Sequence, residues 1–137
     1  MIGTRDRKYA KIVEELDKND TISIISCNTC VRLSGTGGEI KMNELAKQLR
    51  EDGYNVVDGY LITLPCEDYY FENIELSKHI DTIIMMSCAS GYANASYFYP
   101  NCKIVSAIDS RGVVVTEEKI TEDGEVKKRK KLRRVKV

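Results

Sequence analysis

Four short runs of β-branched and other apolar residues set the frame of this chain: TISIISC (Thr21–Cys27), NVVDGYLITL (Asn55–Leu64), DTIIMMSC (Asp81–Cys88) and CKIVSAID (Cys102–Asp109). Each reads as a strand, and the first has the look of a buried one. Between the first two, Met42, Leu45, Ala46 and Leu49 recur at helical spacing over 39–52, and Gly53 stands where a helix C-cap belongs. An opening helix is expected over Arg5–Asp17, where Tyr9, Ile12, Val13 and Leu16 share one face. A short helix is expected over Glu72–His79, and ASGYANASYFYP (89–100) reads as loop or helix. Strands alternating with helical segments indicate βαβ units. The expected fold is therefore α/β: a mostly parallel, Rossmann-like or flavodoxin-like sheet of about four strands with helices, plus a C-terminal β-hairpin. Residues 1–112 read as one α/β domain, and 113–137 as a hairpin with a basic arm belonging to the same domain.

The hairpin follows from Asp123-Gly124, a turn signal between two strand-like arms. A two-residue turn there sets Glu118 opposite Arg129, Glu117 opposite Lys130 and Val115 opposite Leu132. Residues 127–137 carry eight Lys or Arg and no acid, leaving 13 basic against 21 acidic residues elsewhere. A charge-matched hairpin arm accounts for this asymmetry. Docking on an acidic protein surface comes next. Nucleic acid is the weakest reading, because no aromatics interleave the basic residues.

With 42% hydrophobic and 31% charged residues, the composition is that of a globular protein and not of a disordered one. No apolar run approaches the roughly 20 residues of a membrane span. The first twenty residues are charged, without the apolar core of a secretory signal, so a cytoplasmic location is expected and no membrane partner. In that compartment five cysteines are poor candidates for structural disulfides.

Their positions say more than their number. Cys27, Cys66 and Cys88 each close a different strand, and in a parallel sheet those ends lie along one edge. Ligands of open α/β sheets bind outside the carboxyl ends of the strands. Cys30 lies three residues beyond Cys27, the C-x-x-C spacing that lets two sulfurs reach one centre. Four thiolates suit tetrahedral zinc or an iron–sulfur cluster. Gly35, Gly37 and Gly38 in SGTGG, and Gly91 after Cys88, are candidate cofactor-binding positions whose backbone amides would face the anionic centre. Unliganded buried thiols and a thiol–disulfide motif at Cys27/Cys30 are the alternatives; against the latter, a Gly-rich loop stands where thioredoxin-like motifs open a helix.

Other features are weaker. Cys102 begins the last strand, at the opposite edge, and reads as a core thiol. The SGTGG loop lacks the lysine of a P-loop. His79, the only histidine, sits far from any strand end. Two aromatic clusters, Tyr69-Tyr70-Phe71 and Tyr97-Phe98-Tyr99, flank the cysteine loops as core or cover. No carboxylate pair or Ser/His/Asp order suggests a hydrolase.

Cys27-Asn-Thr-Cys30 followed by Gly37-Gly38-Glu39, the stretch ELAKQLREDGY leading to a strand that ends in Pro65-Cys66, and Cys88-Ala-Ser-Gly91 followed by KIVSAIDSRG together resemble the C-terminal domain associated with methylenetetrahydrofolate reductase. That domain also occurs as a small subunit beside the flavin-bearing reductase subunit. The resemblance covers about 21–115. It implies a non-catalytic accessory subunit in one-carbon metabolism, forming a hetero-oligomer with a flavin-containing reductase subunit. It implies one 4Fe-4S cluster or Zn2+ on Cys27, Cys30, Cys66 and Cys88. Ser34 stands where the family often has a further cysteine, which reduces the implied inventory to one centre. Electron transfer to the partner's flavin and a zinc-stapled binding module without redox function are the two roles this allows.

Overall fold

The computed structural model describes residues 1–77, 79–120, 122–124 and 126–133, with the side chains of 114–120 and 126–133 outside that description. Four strands form a parallel sheet in the order β3-β2-β4-β5: β2 (Thr21–Cys27), β3 (Asn55–Ile62), β4 (Thr82–Met86) and β5 (Lys103–Ser106). Every β2 residue from Ile22 to Cys27 is buried, as is all of β4. Neighbouring residues of β4 serve opposite faces. Ile84 and Met86 join Ile22, Ile24, Leu49 and Val105 on one side, while Ile83 and Met85 join Ile25, Ile62, Phe71 and Ala95 on the other. Covering both faces is why the central strands β2 and β4 read as near-continuous apolar runs.

The first face carries α1 (Tyr9–Val13) and α3 (Glu39–Glu51). Helix α3 contributes the expected stripe, with Leu49 fully buried and Met42, Leu45 and Ala46 packed beside it. It stops where expected: Gly53 takes a φ of 91°, and its N–H bonds the Arg50 carbonyl. The second face carries α4 (Asp68–Glu72) and α5 (Ala89–Phe98), joined by the stacked rings of Phe71 and Phe98. The fold is α/β with a four-stranded parallel sheet, as anticipated.

Four expectations are corrected. The opening helix is shorter: Ile2–Asp6 forms β1, and only Tyr9–Val13 is helical. Tyr9, Ile12, Val13 and Leu16 still pack on the core, so the apolar face survives while the secondary structure at 5–6 does not. The helix near 72–79 lies earlier, at Asp68–Glu72, because burial of Phe71 against Phe98 and Tyr99 anchors it there; Asn73 closes it by donating to the Tyr69 carbonyl at 2.7 Å. His79 sits in an exposed turn.

The run 102–109 divides at Ala107. Its first half is β5, and its second half opens β6 (Ile108–Ile120) in a different sheet. Ser106 forms the corner, its hydroxyl donating to the Ile108 carbonyl at 2.7 Å and accepting the Ile108 N–H at 3.3 Å. β6 pairs antiparallel with β1 and with β7 (Val126–Arg133) in the order β1-β6-β7. The expected hairpin is present, with Ile120 paired to Val126 at its closed end, and the register differs by one from the expected one. Glu118 faces Lys128, Glu117 faces Arg129, and Val115 faces Lys131, not Leu132.

Among the described residues no helix is long and apolar enough to cross a membrane. Replacing Ile84 with Ala should cost about 2–5 kcal/mol in urea unfolding, since it empties a site with no solvent exposure at the sheet centre. Ile40→Ala, at 76% exposure, should change stability by less than about 0.5 kcal/mol. Equal effects would contradict the described core.

Candidate functional site at the carboxyl edge of the parallel sheet

The strand order places the cysteines. From β2 the chain turns one way to reach β3, then crosses back over β2 to build β4 and β5 on the other side. The loops leaving β2 and β4 therefore lead to opposite faces of the sheet, the strand order at which ligands of such sheets characteristically bind. Cys27 ends β2, and Cys88 lies two residues past β4 as the N-cap residue of α5. Cys66 lies in the turn between β3 and α4, where the Glu67 N–H bonds the Leu64 carbonyl at 3.0 Å.

Each sulfur has a distinct environment. Cys27 is buried. Its sulfur accepts the Thr29 N–H at 3.3 Å and lies 3.8 Å from the Thr63 carbonyl, which also receives the Thr29 hydroxyl at 2.5 Å. These contacts tie the loop after β2 to the end of β3. Cys30 is half-buried and opens α2 (Cys30–Leu33), a single turn where a loop was expected. A helical turn does begin at the second cysteine, so the objection to a thiol–disulfide motif loses its basis. Cys88 is half-buried and Cys66 exposed.

Partial desolvation pushes the Cys66 thiol above its ordinary pKa. The Cys88 sulfur adds to this, with smaller contributions from Cys27 and Glu67, while a backbone hydrogen bond at Cys66 opposes them. Cys66 thus lies within electrostatic reach of both Cys88 and Cys27. Among the described residues no group of three or more His, Cys, Asp or Glu is arranged to hold a metal ion.

The glycines of the SGTGG loop play a different part from the one expected. The amides of Gly35, Gly37 and Gly38 are all engaged within the chain, by the Arg32 carbonyl, the Val31 carbonyl and the Ser26 hydroxyl respectively. Those of Ser34 and Thr36 are engaged too. The loop does not display donors toward the cysteines. It packs: a Cβ at Gly37 would meet Val31 Cγ2 at 2.3 Å, and one at Gly91 would meet the Ser87 hydroxyl oxygen at 2.5 Å and Pro65 Cγ at 3.3 Å. Gly91 lets the first turn of α5 settle between Pro65 and Ser87, which holds the Cys66 turn beside Cys88.

The second sheet supports these loops. The Thr4 and Thr36 hydroxyls are hydrogen-bonded at 2.6 Å, and the Ser110 hydroxyl accepts the Ala89 N–H at 2.9 Å. The sequence reading missed both contacts, because Thr4 falls in the segment taken as preceding a helix. Cys102 lies at the opposite edge, as expected. It is half-buried, its thiol donates to the Ile80 carbonyl at 3.3 Å, and burial with the nearby Asp81 pushes its pKa up.

Cys66 alkylation should therefore show a pH midpoint above that of an ordinary thiol. In Cys88→Ser the midpoint should move down yet stay raised, since desolvation remains. Rate measurements against pH, resolved by mass spectrometry, test this, and an unchanged midpoint would separate the two sulfurs. Comparison with family models, curated proteins and solved structures returned no match.

Proposed function

We propose that this chain is a cysteine-ligated metal protein acting as an accessory, electron-transferring subunit of a flavin-dependent reductase of the methylenetetrahydrofolate reductase type. The fold is read as flavodoxin-like, with the centre at the topological switch point. One observation carries the proposal: Cys27, Cys66 and Cys88 come from the ends of three adjacent parallel strands, and Cys66 lies within electrostatic reach of the other two.

The donor set fits a soft centre by its chemistry, being all sulfur. It is not a preformed cage, because no three ligands stand ready among the described residues. Loading must rearrange the exposed Cys66 turn and draw in Cys30. The raised Cys66 pKa means that the metal-free thiol holds its proton, so loading releases protons and tightens as pH rises. When bound, an iron–sulfur cluster supplies one-electron transfer to the partner's flavin. The chain's own residues hold the loops: Thr29 and Thr63 fix the exit of β2, Gly91 seats α5, and Ser110 restrains the amide next to Cys88.

A second reading, a zinc-stapled docking module, is favoured by the engaged amides of the Gly-rich loop. A zinc tetrathiolate asks for fewer outer hydrogen-bond donors than a cluster's sulfides do.

Purification without oxygen, followed by iron, sulfide and zinc analysis and visible absorption, separates the two. About one metal centre per chain is expected. Cys66→Ser and Cys88→Ser should lose it while Cys102→Ser keeps it. Equal metal content in all three variants, or none in the parent chain, would overturn the assignment.

A further inference from the structure

Beside Cys88 lies a cavity of about 230 Å³ lined by Ile2, Cys88, Ala89, Ser90, Ser110, Arg111, Gly112 and Val113. It sits between the start of α5 and the second sheet. How Arg111 reaches it is visible in the strand register. Gly3 pairs with Gly112 and Thr4 with Ser110, so Arg111 is the extra residue of a β-bulge in β6. Bulges re-aim side chains and recur beside functional sites. Arg111 has no ion-pair partner among the described residues. It is half-buried and, among the described residues, is the only charged one lining the cavity.

We infer that this cavity binds a small carboxylate, its anionic head paired with Arg111 and its short apolar body against Ile2, Ala89 and Val113, next to Cys88. A planar guanidinium matches a carboxylate bidentately. One cation favours a monoanion over a phosphate dianion. The volume falls short of the ~300–1,000 Å³ typical of drug-sized sites and matches a small ligand. The Ser110–Ala89 hydrogen bond fixes the wall in place before the ligand arrives. This site requires no metal and goes beyond the function proposed above.

The test uses the metal-free full chain and two alkylating reagents of similar size, anionic iodoacetate and neutral iodoacetamide. In both, the sulfur displaces iodide and the thiol proton goes to solvent. Taking the ratio of the two rates cancels each cysteine's thiolate fraction. The iodoacetate-to-iodoacetamide ratio should be about tenfold higher at Cys88 than at Cys66 in the same molecules. Arg111→Gln should bring the Cys88 ratio to that of Cys66, and Arg111→Lys should retain most of it. In the unaltered chain, butyrate should protect Cys88 from iodoacetamide, and butyramide should not. Equal ratios at the two cysteines, an unchanged ratio in Arg111→Gln, or stronger protection by inorganic phosphate than by butyrate would overturn the inference. Metal analysis of the same preparation before chelation reports separately on the metal proposal.

Discussion

Hydrogen bonding on both sides of β2 is the constraint from which the rest of the molecule follows. Its ladders to β3 and β4 fix three parallel strand ends along one edge. Because both sheet faces are covered, Ile22, Ile24 and Ile25 have almost no solvent exposure. Burial of this kind contributes about 1.5–3 kcal/mol per side chain, so a slip in β2 would be costly. The positions of Cys27, Cys66 and Cys88 are consequences of that register. No local sequence preference of their own puts them there.

Glycine supplies a second layer of order at this edge. The SGTGG segment has the composition of a loop that greets a ligand with its amides, yet those amides are satisfied internally. What the glycines provide instead is the absence of a side chain where two segments touch, with Val31 against Gly37 and Ser87 against Gly91. The shape of the rim thus comes from close packing between its own loops.

Much of the parallel sheet was legible from sequence because its signal is local. The β-branched run at Thr21–Cys27 has the bounds of β2, and the Met42–Leu49 stripe with Gly53 locates α3 and its end. Features set by distant partners were not legible. Ile2–Asp6 becomes a strand because β6 is there to pair with it, and nothing within those five residues announces that. Division of the 102–109 run depends on one serine closing a corner. The hairpin register also escaped, because a tract of consecutive basic residues offers opposite charge to Glu117 and Glu118 in either alignment. At the site, the edge shared by three cysteines could be read from strand order, whereas Arg111 could not, since a bulge exists only relative to a partner strand.

The pairing of β1 with β6 has a consequence for biogenesis. Ile2 is aligned with Val113, so β1 has no partner until the parallel sheet that separates it from β6 in the sequence has been translated and can already close. Contacts of such long sequence separation form late and slowly. During that interval the loops after β2 and β4 lack their Thr4 and Ser110 restraints, so the cysteines they carry sit on segments that nothing yet holds to the second sheet.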